Sequence, residues 1–191
     1  EKDTASQLLG PWVESLGAKC PTPGGGAAAA VVAAIGAASG AMAAIYTTRK
    51  KDEETGVAEE ARTLAARLQA AAARCIKAAD EDAAAYASLQ ATWKKDCPLS
   101  EEEKSKVAAE ALSVPTRLLL LCAEEAAAVA SFLPKCNPNI TSDAKVALHL
   151  LAGAGRAAYQ TVLVNQPPEE LKAALRLQLD ALASLEAEVL K

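Results

Sequence analysis

"GAAAAVVAAIGAASGAMAAIYTT", residues 26–48, decides the fold. It carries no charged side chain, and the uncharged run extends from Lys19 to Arg49. That length is enough to cross a bilayer. Most of it is alanine and glycine, however, and only Val31, Val32, Ile35, Met42, Ile45 and Tyr46 offer bulk. Alanine is the best intrinsic helix former, and the Gly36–Gly40 spacing permits close approach of a neighbouring helix in water as it does in lipid. The expectation is a buried central helix wrapped by other helices, with no membrane span.

Composition extends this reading to the whole chain. Of 191 residues, 51% are hydrophobic but only 3% aromatic. Strands favour the β-branched and aromatic residues that are scarce here, so the chain reads as all-α. Punctuation divides it into about six long helices: 5–16, 26–48, from the charged turn "RKKDEETG" to about 93, 101–132, 142–164, and one opened by "NQPPEE". Ser100 and Glu103 form an S-x-x-E capping box at the start of the fourth. Pro115 removes a backbone hydrogen bond inside that helix and predicts a bend near Ala111. With short loops and no repeat or linker, residues 1–191 read as a single-domain antiparallel helical bundle.

Several function classes fall away. A formal charge of −4 offers no basic surface, so nucleic acid is not an expected partner. Five scattered cysteines form neither a CxxC pair nor a disulfide framework, and no metal site is expected. The single histidine, His149, reads as a packing or supporting residue in an apolar helix. The chain starts at Glu1, so a trimmed targeting segment would be invisible; the expected compartment is the cytoplasm, or an organelle matrix.

Three stretches could carry chemistry. In "CPTPGGGAAAA", residues 20–30, Gly24, Gly25 and Gly26 precede the central helix. Free N–H groups at that helix start could hold an anion or carbonyl against bare backbone; equally, the glycines could relieve crowding after a stiff Pro-Thr-Pro turn. In "KAADEDAAAYASL", residues 77–89, Asp82 and Tyr86 share a helix face flanked by alanines. Asp82 is either a solvated helix carboxylate or, in a partly dry cleft, a proton carrier with a raised pKa. In "CNPNITSDAKVAL", residues 136–148, Asn139 suits a turn, and Ser142 or Asp143 a helix cap.

Taken in order, these stretches resemble the cyclodeaminase/cyclohydrolase family of folate enzymes. "WVESLGAKCPTPGGGA" is similar to its P-[TA]-P-G-G-G-S opening, and "TTRKK" to its Thr followed by basic residues. "EDAAAY" resembles E-D-A-x-A-[FY], and "SVP" its bent fourth helix. "NPNITSDAKVA" resembles N-x-x-x-x-S-D-x-x-V-A, and "VLVN" the N-V-x-I-N close of the next helix. The blocks span residues 12–165. The resemblance implies a homodimeric helical bundle, alone or within a larger assembly, that binds a tetrahydrofolate derivative and needs no other cofactor and no metal. It implies closure of 5-formiminotetrahydrofolate to the 5,10-methenyl compound with loss of ammonia, or hydrolysis of the methenyl compound to 10-formyltetrahydrofolate.

By the same resemblance Asp82 would carry the proton, and Gly24, Gly25 and Gly26 would face the ligand with backbone N–H groups. Tyr86 and Asn139 fall within the matched binding motifs. Lys50 and Lys51 would meet the folate's glutamate carboxylates, while Asp143 would accept from the amino and ring N–H groups of the pterin and Asn165 would complete that edge. The sequence departs from the pattern at Ala27, where the family has Ser, and at Thr161, where it has Asn. Ala157-Ala158 stand for Gly-Ala, and Arg49 replaces the Gly of the basic turn. The alternative is therefore a catalytically inactive structural subunit that keeps the fold.

Overall fold

The computed structural model describes residues 9–190. Seven α-helices follow one another: α1 (Leu9–Leu16), α2 (Gly25–Ile45), α3 (Lys50–Glu54), α4 (Val57–Thr92), α5 (Glu101–Phe132), α6 (Thr141–Val164) and α7 (Glu169–Val189). No strand occurs among the described residues, and two 3₁₀ turns, Leu133–Lys135 and Pro138–Ile140, join α5 to α6. The uncharged stretch is the central helix, α2, packed between α4 and α6. It is long and apolar enough to cross a membrane, but here one face of it, from Gly26 and Ala27 through Ala33, Ala37 and Gly40 to Ala44, is buried within the bundle. α5 closes the bundle against α4 and α6, and α7 lies across α5 and α6.

Small residues set the spacing of these helices. A methyl group on Gly36 would come within 3.1 Å of Leu150 Cβ and 3.2 Å of the Leu151 backbone nitrogen. One on Gly40 would come within 3.1 Å of both Leu68 Cδ1 and Val129 Cγ2. Gly36 thus lets α6 approach, and Gly40 sits where α4, α5 and α6 converge. On α4 the buried positions Ala58, Ala61, Ala65, Leu68, Cys75 and Ala79 recur at helical spacing, giving one apolar stripe against α2. Leu68, Leu119, Leu148 and Leu151 fill the centre. Beside it, the buried Glu125 carboxylate is held by Arg67 Nε at 2.7 Å and Arg74 Nη2 at 3.4 Å, tying α5 to α4.

The Ser100 capping box forms: Glu103 N–H donates to Ser100 Oγ at 3.2 Å, and Ser100 N–H to Glu103 Oε2 at 2.7 Å. Those bonds hold the Glu103 carboxyl below its usual range. Some boundaries differ from the expectation. The first helix is described from Leu9, and residues 5–8 lie outside the described residues. α2 stops at Ile45, where the backbone tightens and Thr47 N–H bonds the Ala44 carbonyl at 2.9 Å instead of continuing the i−4 pattern. "RKKDEETG" is not a plain turn but contains α3. Asp52 accepts from the Arg49 backbone N–H at 2.9 Å and from its guanidinium at 2.7 and 3.0 Å, which nucleates a turn of helix. The same contacts hold the Asp52 carboxyl below its usual range. α5 is helical on both sides of Pro115. His149 takes the supporting role, its Nδ1 3.2 Å from Glu186 Oε1 on α7.

Candidate active site

The start of α2, the C-terminal parts of α4 and α6, and one residue of α5 converge on one cleft. The α4 stripe Asp82, Ala85, Tyr86, Leu89 and Trp93 forms one wall. The opening turn of α2, Gly24 to Gly26, forms the floor together with Pro21 and Thr22 of the preceding loop. The last turns of α6 supply Ala157, Gln160, Thr161, Val164 and Asn165, and α5 contributes Ala111. The cavity measures about 610 Å³, within the range of small-molecule sites.

Gly26 explains the glycine run. A Cβ on it would lie 2.0 Å from Asp82 Oδ1 and 2.5 Å from Asp82 Cγ, so any side chain at 26 displaces that carboxyl group. Gly25 meets nothing within 4 Å, and Gly24 only the Pro21 carbonyl at 3.7 Å, which leaves their backbone open to a ligand. α2 has no side-chain cap, and its first intrahelical bond runs from Ala28 N–H to Gly24 O. The N–H groups of Gly25, Gly26 and Ala27 precede that bond, at the positive end of the helix dipole.

Asp82 therefore sits over a helix N-terminus, half-buried. Burial pushes its carboxyl above the ordinary carboxylate range, and the Ala27 backbone N–H draws it part of the way back. No cationic side chain pairs with it among the described residues. Glu81, the preceding residue, points elsewhere and pairs with Arg117 at 3.1 Å and Lys77 at 3.5 Å. A carboxyl that is part dry, unpaired and within reach of helix N–H groups can both take and give a proton.

The other walls suit a flat ligand. Tyr86 and Trp93 meet edge to face with ring centroids 6.4 Å apart, and Gln90 Nε2 donates to the Tyr86 hydroxyl at 3.2 Å. Trp93 is largely exposed at the cavity, a free aromatic surface. Asn165 is tied down on the opposite side. Its Nδ2 donates to the Thr161 carbonyl at 2.9 Å and to the Ala111 carbonyl of α5 at 3.2 Å. Both carbonyls require the amide nitrogen, so Oδ1 is the polar atom left over.

The expected site residues thus divide into two groups. Gly24, Gly25, Gly26, Asp82, Tyr86 and Asn165 line the cavity. Lys50, Lys51, Asn139 and Asp143 do not; they lie past the far end of α2 and at the start of α6. Over 21 residues α2 rises about 31 Å, so the two groups occupy opposite ends of the bundle. There Lys50 reaches only Glu54, at 3.9 Å, Asn139 N–H donates to Asn137 Oδ1, and Asp143 accepts from the Ser142 hydroxyl. Asp143 stands in the first turn of α6 rather than at its cap, which is Ile140. Of the departures, Thr161 keeps a polar side chain in the wall, whereas Ala27 is buried outside it.

Leu89, Trp93 and Gln160 were not singled out from the sequence. For the first two a signal existed: positions 82, 86, 89 and 93 continue one helix face. Gln160 had none. Among the described residues no group of three His, Cys, Asp or Glu side chains could hold a metal ion.

The fold has a solved counterpart. A formiminotetrahydrofolate cyclodeaminase from Thermotoga maritima superposes with a TM-score of 0.81 at 24% identity, covering 96% of this chain and 92% of its own. Among curated protein sequences none matches. The profile of the formiminotransferase-cyclodeaminase family matches residues 9–174, and on that match the chain belongs to this family.

Proposed function

We propose that the protein is a folate one-carbon enzyme that closes 5-formiminotetrahydrofolate to 5,10-methenyltetrahydrofolate with release of ammonia, or hydrolyses the methenyl compound to 10-formyltetrahydrofolate. The observation that carries the reading is the unpaired, half-buried Asp82 carboxyl above the start of α2, inside a cleft with an aromatic wall. In the closure the formimino group reacts as its protonated amidinium: N10 attacks the formimino carbon and Asp82 accepts the N10 proton. Asp82 then returns that proton to the departing nitrogen, the C–N bond breaks, and ammonia leaves. In the hydrolysis, water adds to the methenyl carbon and Asp82 takes one of its protons; Asp82 passes that proton to N5 as the C–N5 bond breaks, and the remaining hydroxyl proton leaves to solvent as the formyl carbonyl forms. Either way a single carboxyl group shuttles one proton within reach of the reacting atoms. An intact cleft with Thr161 still polar in its wall favours the enzyme over an inactive subunit.

The cavity wall holds no lysine or arginine, yet a folate ends in glutamate carboxylates. A homodimer resolves this. Ile35, Met42, Ile45 and Tyr46 leave one apolar face of α2 exposed. Two copies pairing there with their α2 helices antiparallel set the C-terminal end of one against the N-terminal end of the other. Lys50 and Lys51, with Asn139 and Asp143, then come to the cleft of the opposite copy. The experiment is turnover of the methenyl compound, followed by its absorbance, and ammonia release from the formimino compound, for wild type and Asp82→Asn. Activity in either assay that collapses in the variant supports the reading; two assays at buffer background refute it. Met42→Asp, read by light scattering, tests the dimer: a species that stays dimeric places the interface elsewhere.

A further inference from the structure

Pro115 lies in the middle of α5 and does not itself line the cavity, but its chemistry reaches the site. In an uninterrupted helix the N–H of residue 115 would bond the carbonyl of residue 111. Proline has no N–H, and its ring pushes that carbonyl aside. Ala111 is buried, so its carbonyl needs another donor. It finds Asn165 Nδ2, 3.2 Å away at the end of α6.

The second N–H of the same amide is used in a similar way. At the end of α6 the Asn165 backbone N–H bonds Val162 O, not Thr161 O, which leaves the Thr161 carbonyl to the side chain at 2.9 Å. Two carbonyls released by two irregularities, a proline in α5 and the closing turn of α6, consume both donors of one amide. The amide then has a single orientation, and only Oδ1 remains to face the cavity.

We propose that Pro115 is a positioning residue of the site: by releasing the Ala111 carbonyl it anchors the Asn165 amide, so that Oδ1 presents a fixed acceptor to an N–H of the ligand. The ligand in this statement rests on the folate reading above; the anchoring does not. A proline inside a helix lacks a backbone hydrogen bond, so Pro115→Ala restores one, against the packing lost with a buried ring, while it frees Asn165 from α5.

The test uses Pro115→Ala, Asn165→Ala and the double variant of the full chain, with two readouts. In the ligand-free protein, the Asn165 side-chain NH₂ resonances and their solvent exchange report the anchor directly. Pro115→Ala is expected to shift them and speed exchange. With the methenyl compound, each single variant is expected to raise KM about tenfold to a hundredfold, the loss of one polar contact, with kcat within about threefold. The double variant should be no worse than either single, because Pro115 acts through Asn165. Unchanged NH₂ resonances in Pro115→Ala overturn the proposal whatever the activity. So do KM effects that multiply in the double variant. If the wild type turns over no folate, the function proposed above falls, and the NH₂ measurement still decides the anchoring.

Discussion

The two ends of α2 behave in opposite ways. At the C-terminal end the buried polar side chains, Thr47, Asp52 and Asn137, are paired with one another or with their neighbours. Asn137 Nδ2 donates to Tyr46 O at 2.8 Å, and Asn137 N–H to Thr47 Oγ1 at 3.0 Å. Arg49 spans Asn137 Oδ1 at 2.9 Å and both oxygens of Asp52. At the N-terminal end the first N–H groups lack a side-chain cap, and the carboxyl above them has no counter-charge. The closed end holds three segments together. The open end leaves a charge and several donors for something that is not protein. Polar residues beside a helix end therefore say little until one knows which are already satisfied.

Five substitutions would break or sharpen this contrast. The largest effect is expected from Asp82→Asn, which keeps the shape at the open end and removes the titrating proton: kcat should fall about 10²- to 10⁴-fold in steady-state assays. Next is Gly26→Ala, whose methyl must displace the Asp82 carboxyl; a shift near 1 Å costs about a hundredfold in rate. Gly25→Ala, with open space around it, should keep most of the activity, and equal losses at 25 and 26 would show that the approach of Asp82 is not what matters. Third, Asn137→Ala at the closed end removes a buried donor and acceptor and should destabilise the fold by about 2–4 kcal/mol in urea titrations.

The smallest effect is on stability, and its sign differs between the ends. Burial raises the Asp82 pKa in the folded state above its unfolded value. The folded protein then binds more protons, so wild type loses stability as pH rises from the unfolded carboxylate pKa through the folded one. Asp82→Asn should therefore melt higher than wild type at pH 7, and the difference should vanish below the unfolded pKa. For Asp52 the shift is downward, so its contribution is present above the unfolded pKa and is lost as pH falls through the folded one. Melting curves of Asp52→Asn against pH should show that reversed dependence.

Much of this was legible in the chain itself. An uncharged alanine-rich run made α2 the central helix, and Gly36 and Gly40 marked where its neighbours approach. Ser100 and Glu103 announced the start of α5, and the four-residue spacing of Asp82 and Tyr86 placed them on one face. Each of these follows from local rules of helix period, capping and side-chain size. By contrast α3 was hidden, since "RKKDEETG" read as a charged turn; in the structure Asn137, from a distant segment, holds the arginine that pairs with Asp52.

Only the tertiary structure decided the rest. It put Gly26 beneath Asp82, so that the glycine makes room for a carboxyl of the same chain as well as for a ligand. It placed Trp93 and Gln160 in the wall, and Lys50, Lys51, Asn139 and Asp143 about 30 Å away. It turned Pro115 from a local irregularity into the source of the carbonyl that holds Asn165. Sequence determines which residues share a helix face, because that depends on neighbours three and four positions away. Which polar atoms are left unsatisfied depends on segments far apart in the chain, and that is settled only when the helices pack.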